Sequence, residues 1–524
     1  MALIPVNAAG QYGIVNPQDT PPHELPLNAW SNGRNVRMRD AMVEKFLGHQ
    51  QAFGTPGTQP YFAIPLFKNG VYYWIYTSLT KAFVWDGNTH TDITRAAGNY
   101  AANALRNWTG GALGGIPILN NGVDVPQMWL PVSLAQPLQA LTNWPATYRA
   151  GAMRVFRRFL VALDINKDGT LFPQMIKWSH PAPSGGVPTS WDETDETKDA
   201  GEYEILDSDG ACVDAARMRE DLIIYKDDSV HRMQYIGGID IFRFLPMFDN
   251  FGILSRRCAV EYAKGRHAVF AVGDVISHDG VSWQSIISSR LRKWLFQQID
   301  PTNFATCFVA LNPAQFEVWF CFPSIGQALP NMAIVWNWTT NALGIREIAA
   351  THIANGNVSL TSGSDIWDAD FEVWDSDSTT WGEGFTNPAG RRLLICDPAN
   401  TKLHFGDSTQ QFAGVNMTSF IERVSLPLPV KPDGPPDMRS RKFIRDLYPR
   451  LLGTTGAVVK IHLGTQEVVD GPISWRAPRD FIIGTTKKID VRVNTPLLAV
   501  RYESTTNIDW RLAGQEFDVS PAGR

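Results

Sequence analysis

The stretch "DINKDGTLFPQM" (164–175) has the residue types of a calcium-binding loop. Asp164, Asn166 and Asp168 stand at alternate positions and Gly169 follows, the spacing of oxygen ligands around such an ion. That loop also needs a bidentate glutamate at its twelfth position, where this chain has Met175. The flanks "RFLVALDI" and "TLFPQMIKWS" are strand-like rather than helical. The stretch therefore reads as a turn between two strands, with Asp and Asn giving local hydrogen bonds and Gly a positive φ.

Other candidate chemistry thins out in the same way. "SHDGVSW" (277–283) approaches the Ser-x-Asp-x-Gly-x-Thr-Trp hairpin of sialidase propellers but is one residue short. Arg157, Arg243, Arg292 and Arg346 are scattered and give no arginine triad. The acidic run "SWDETDETKDAGEYE" (190–204) reads as a solvated loop, because acid–base chemistry needs isolated carboxylates with displaced pKa values. "GDST" (Gly406, Asp407, Ser408) resembles an esterase box without the later Asp-x-x-His. "GGALGG" (110–115) has no Lys-Ser/Thr after it. His180 and His278 are placed in turns, His404 and His462 in strands, each as a satisfied or surface residue. No catalytic, cofactor-binding or metal-ligating residue is assigned, and the expectation is a protein that is not an enzyme and takes no cofactor.

Basic residues do gather, at Arg154/Arg157/Arg158, Arg256/Arg257, Arg290/Arg292/Lys293 and Arg439/Arg441/Lys442/Arg445. Blade edges and subunit contacts explain most of them. Arg439, Arg441, Lys442 and Arg445 follow a proline-rich stretch and are the candidate contact for an acidic partner or DNA.

The elements that would carry these residues are strands. The chain has 524 residues, of which 44% are hydrophobic and 19% charged, with 18 Trp, 43 Gly and 34 Pro. Many aromatics beside many turn-formers favour short strands and tight turns. Hairpin signals recur: a turn at Asn69-Gly70, then Asp86-Gly87, Asp168-Gly169, Asp209-Gly210 and Asp279-Gly280, with further bends in "AIVWNWTTNALGIREI" and "RLLICDPANTKLHFG". Their irregular spacing is that of propeller blades, with a β-sandwich array as the competing arrangement. "SRLRKWLFQQI" (289–299) fits a short helix or a strand.

The expected division is an extended arm with one hairpin over residues 1–55 and a β-propeller-like domain over 56–426. A stiff proline-rich linker over 427–438 and an antiparallel β-sandwich or barrel over 439–524 follow. The fold class is all-β, a propeller with an added carboxyl-terminal antiparallel β-domain.

A net charge of −5 disfavours a general nucleic-acid-coating role. Five sparse cysteines without CxxC spacing read as buried, reduced thiols made in a cytoplasm. No apolar run approaches the ~18 residues of a membrane span. "MALIPVNAAG" lacks the features of a signal peptide, so export by the general route is not expected.

From "PPHELPLNAWSNGRNVRMRDAMVEKFLGH" (21–49) through "LRNWTGGALGGIPILNNGVDVPQMW", "WDETDETKDAGEYEILDSDG", "DLIIYKDDSVHRMQYIGG" and "FGILSRRCAVEYAKGRHAVFAVGDVISHDG", the sequence resembles tail proteins of short-tailed bacteriophages. The resemblance extends to "FEVWFCFPS" and "WRLAGQEFDV", and is to the nozzle, or packaged-DNA-stabilising, tail family. One departure is Asp40-Ala41 where the family's amino-terminal hairpin has Asp-Gly, and alanine is unfavourable at positive φ.

The resemblance implies a propeller with a β-rich platform, assembled as a hexameric ring beneath the portal and adaptor rings. It implies a virion tail location after assembly in the host cytoplasm, with tail adaptor proteins, and tail fibres, as neighbours. Transient contact with duplex DNA, its retention and its ejection also follow. Two other functions are consistent with a propeller: a tail-tip module that binds or cleaves glycans, and a DNA-binding accessory factor.

Overall fold

A computed structural model of the chain describes residues 2–14, 22–68, 71–130, 133–238, 240–287, 289–357, 391–432, 434–469 and 471–523. Phe62–Lys68, Val71–Thr77, Ala82–Trp85 and His90–Asp92 form a four-stranded antiparallel meander, blade one. Its first turn, at 69–70, lies outside the described residues. Blades two to five repeat the pattern, beginning at Thr109–Leu113, Arg149–Phe156, Cys212–Met218 and Ala259–Ala263. Blade six runs from Phe308–Asn312 outward to Ala342–Glu347. Blade seven takes His352–Asn357, Arg391–Asp397 and Lys402–Thr409 from late in the chain and Gly48–Ala52 from its beginning. Among the described residues, seven such sheets make a seven-bladed β-propeller.

The core lies between blades. Phe62, Leu66, Trp108 and Trp129 fill the seam of blades one and two. Phe156, Val161, Ile224 and Met233 fill that of three and four, and Trp74, Tyr76, Leu394 and Phe405 that of seven and one. A strand covered on both faces has no reason to alternate, and Glu317–Phe322 ("EVWFCF") is buried at every position. The five cysteines are buried and unpaired. Ser289–Gln298 is a helix, and its Leu291 and Leu295, with Ile299 just beyond it, are buried in the core shared by the later blades and the platform.

The platform differs from the expected division. Trp510–Pro521 pairs with Lys442–Gly453 on one side and with Ala2–Asn7 and Met42–Lys45 on the other. The hairpin Val36–Arg39/Met42–Lys45 is the bridge, because Val36 pairs with Ile345 at the rim of blade six. A second sheet holds Asn32–Arg34, Ser419–Leu426, Leu497–Ser504 and Val458–Gln466, with Ser474–Trp475 and Arg479–Ile482 along one edge. Residues 1–55 are thus not a free arm, since their strands enter the platform and blade seven. The platform likewise starts at Ser419 rather than after the linker. Strand pairing decides both points, and its partners lie hundreds of residues away.

Two turn expectations also change. Asp209-Gly210 is not a hairpin turn, because Gly201–Glu204 is the outer strand of blade three and Cys212–Met218 the inner strand of blade four. Asp40 and Ala41 have φ of 52° and 57°, so alanine is held in the left-handed turn that Asp-Gly would make without strain.

Candidate functional site

Asp168 (φ 53°) and Gly169 (φ 91°) form the two-residue turn between Phe159–Lys167 and Thr170–Trp178. Asn166 Oδ1 accepts the Gly169 N–H at 2.9 Å. Met175, at the position a calcium loop gives to glutamate, is buried in the seam of blades two and three. Asp164 stands apart at a β-bulge between Leu163 and Ile165, with its Oδ2 3.5 Å from Arg256 Nη2. Burial pushes its carboxyl above the usual range despite that arginine. The oxygens therefore do not converge, and among the described residues no group of His, Cys, Asp and Glu could hold a metal ion.

The esterase-like "GDST" has another use. Asp407 accepts hydrogen bonds from Arg37 Nη2 at 3.0 and 3.1 Å, from Arg346 Nη1 at 3.2 Å and from Asn312 Nδ2 at 2.8 Å. Although burial opposes ionisation, Arg37 and Arg346 hold the Asp407 carboxyl below its ordinary range. Arg37 Nε lies 3.3 Å from Glu317 Oε1, and the Arg37 guanidinium sits 4.6 Å from the Phe46 ring centre. Ser408 Oγ donates to Phe405 O at 3.1 Å. The cluster ties the amino-terminal hairpin to blades six and seven.

Of the candidate contact residues, Arg439 is exposed, whereas Arg441 pairs with Glu467. Lys442 is buried and donates to the carbonyls of Asp437 and Pro496, and burial lowers its pKa. Arg445 lies 3.0 Å from Asp446 Oδ2 and 2.7 Å from Asp518 Oδ2. The four do not form one free basic face.

The earlier basic pairs knot the inner strands together. Arg154 binds both oxygens of Asp214 at 2.7 Å, and Asp214 also accepts the Arg257 N–H at 2.6 Å. Arg257 Nη1 donates to Thr351 O at 2.9 Å, and Arg257 O accepts from Val309 N at 2.8 Å. These contacts join blades three to seven where their inner strands meet. Burial lowers Arg257 to about 10.

Between blades four and five, Tyr225 Oη lies 2.6 Å from His267 Nδ1 and 2.7 Å from His278 Nε2. His267 Nε2 lies 2.8 Å from Arg217 O and must carry a proton to donate there. Neutral His267 then accepts the Tyr225 hydroxyl at Nδ1, and His278 donates to Tyr225 through Nε2. Burial pushes His267 down to about 4, and burial with the neighbouring His267 pushes His278 to about 3. His278 thus belongs to a buried proton chain, at the end of the strand Asp274–His278 rather than in a turn. Beside it Asp279 closes a polar turn, accepting from Val281 N and Ser282 N. Arg266, Ser277, Ser282, Gln284 and the half-exposed Trp283 line a small pocket there.

One surface was not anticipated. Among the described residues, Ser474–Trp475 and Arg479–Ile482 pair only with Val458–Gln466, which makes them an edge of the sheet. Residues 474–492 hold five cations against two carboxylates, and Arg476, Arg479, Lys487, Lys488 and Arg492 are all exposed. The charge bias of "SWRAPRDFIIGTTKKIDVR" was a readable signal, masked by the strand pattern around it.

No family model matches the chain, and no curated protein matches its sequence. Among solved structures it is similar to the AfRom2 CNH domain, at 10% identity and a TM-score of 0.33, covering 59% of this chain and 90% of that one. It is also similar to the WD40 β-propeller domain of Doa1, at 9% identity and a TM-score of 0.36, covering 69% and 97%. The likeness is one of fold. Among the described residues no helix is long and apolar enough to cross a membrane. The chain is an all-β protein, a seven-bladed β-propeller extended by a β-platform.

Proposed function

We propose that the chain is a structural protein of a short-tailed phage virion, forming the distal tail nozzle as a ring, most simply of six copies. The observation that carries this reading is the composite architecture. A propeller carries a β-platform, as the resemblance to nozzle proteins implies, and here strands from both parts of the chain build it. The groups that could have done chemistry are committed to structural partners, Asp407 to two arginines and Asp168 to a turn. The Arg154–Asp214–Arg257 knot occupies the convergence of the inner strands, so the DNA path of such a ring lies between copies rather than along a propeller axis. Electron microscopy of particles carrying the chain tests the reading. The expected image is a closed ring at the distal tail, and dispersed monomers in mature particles would sink it.

A second reading, a glycan-binding module at the tail tip, is favoured by the pocket at Trp283. A half-exposed indole beside Arg266, Gln284 and Ser282 suits a sugar face and its hydroxyls. Titration with host polysaccharide while following Trp283 fluorescence separates the two, with Trp283→Phe as the control.

A further inference from the structure

We propose that the basic edge at 474–492 docks the acidic loop at 191–199 of a second copy of this chain, so that copies join head to tail. The edge has three properties of an unfilled interface. Among the described residues its outer side has no strand partner, although Thr485 and Thr486 take the outward groups of Ile482, and an uncovered edge is a template for association. Val458 and Ile482 are directly paired across strands and both exposed, and half-exposed Trp475 pairs with Gly464 further along the same central strand. Its charge is one-sided, five cations against two carboxylates, and although Lys488 and Arg492 lie beside Asp446 or Asp490, Arg476, Arg479 and Lys487 make no ion pair among the described residues. Arg476 reaches the carbonyls of Val491 and Arg492 at 3.3 Å, which makes the two basic segments one surface.

The acidic loop is complementary and already rigid. Residues 192–199 hold five carboxylates against one lysine. Trp191 is buried against Trp144 with ring centres 4.6 Å apart, and Trp178 Nε1 donates to Asp199 O at 2.9 Å. Asp192 and Asp195 each accept from the backbone and hydroxyl of the threonine two residues on. Those hydrogen bonds hold both carboxyls below their usual range, so they stay ionised. A loop fixed before contact loses little freedom on binding.

The two surfaces stand apart within one chain. The loop joins the third and outer strands of blade three, whereas the platform is attached at blade six, three blades further around a ring of seven. A second copy therefore supplies the partner. A contact between two different patches repeats from copy to copy and closes into a ring when the rotation allows. Closure alone rests on the nozzle reading.

Charge reversal of the full chain tests the proposal. Sedimentation should show wild type self-associating at low salt, with affinity falling at least tenfold on raising salt, as exposed charges are screened. Arg479→Glu/Lys487→Glu and Glu196→Lys/Asp199→Lys should each be monomeric, and an equimolar mixture of the two variants should associate again. Association that survives either reversal, no recovery in the mixture, or a wild type that stays monomeric at every salt and concentration overturns the proposal. Particles carrying the Arg479→Glu/Lys487→Glu chain separate this from the nozzle reading. An intact distal ring there overturns the docking surface and leaves the nozzle standing, whereas particles whose rings vanish with the reversal support both.

Discussion

Arg37 and Asp407, 370 residues apart, meet through two hydrogen bonds of 3.0 and 3.1 Å inside the joint between the amino-terminal hairpin and blade seven. The pair is enclosed by Glu317, Arg346 and Phe46, and the side chain of Arg37 is 4% exposed. Removing one member of a buried pair leaves the other's charge uncompensated.

Arg37→Met is therefore expected to lower stability by about 3–5 kcal/mol. Asp407→Asn should act in the same direction, with two guanidinium groups losing their shared anion. Urea unfolding followed by tryptophan fluorescence reads the effect. Midpoints equal to wild type would show that the cluster does not hold the joint.

Ala41→Gly should stabilise. Ala41 is exposed and sits at φ 57°, where an L side chain is strained and glycine is not. The expected gain is roughly 1 kcal/mol, reduced somewhat by glycine's greater freedom when unfolded. Thermal unfolding should show a small rise in midpoint, and a fall would contradict the turn geometry.

Acid should weaken the seam of blades four and five before carboxylates protonate. An unfolded histidine titrates near 6.5, whereas His267 and His278 are held at about 4 and about 3. Below about pH 6.5 the unfolded chain binds more protons, so stability falls with pH until the folded pKa values are reached. At pH 5 the loss is about 2 kcal/mol for each of the two. Replacing His278 with Gln should lower stability at pH 7.5 and flatten the decline between pH 6.5 and 4.5. An unchanged slope would remove this histidine from the account.

Gly169→Val should weaken the Asp168-Gly169 turn by about 1–2 kcal/mol, since a β-branched residue opposes positive φ. Calcium and chelator should leave the melting point of wild type unchanged. A calcium-dependent rise that disappears in Asp164→Ala would revive the metal site.

The local half of the architecture was readable from residue types. Asp86 and Asp279 mark turns between strands of one blade, because their short carboxylates bond the backbone just ahead, and at Asp168-Gly169 the side chain of Asn166 does the same. Asp209-Gly210 carries the same signature, yet it joins two blades. There the carboxylate of Asp228 takes the Gly210 N–H at 2.8 Å, and nothing in the dipeptide reveals it. Lys442 looked like part of a contact surface, but the strands Ile489–Thr495 and Trp510–Pro521 cover it. The cations of 474–492 are spread over three short strands and the turns between them, so no local pattern groups them. Whether such positions add up to one surface depends on pairing, which is non-local.

The strand Gly48–Ala52 has a consequence for how the molecule is made. It leaves the ribosome well before its partner Lys402–Thr409, which follows some 350 residues later. Ala2–Asn7 waits longer still, for Gly514–Val519 near the carboxyl end. Blades one to six can form in order during synthesis, but the circle stays open and one blade edge unprotected until Lys402–Thr409 has emerged. The pairing of Gly48–Ala52 with Lys402–Thr409, rather than any local folding event, is the step that closes the circle. Until then the newborn chain offers an open sheet edge to its neighbours on the same message.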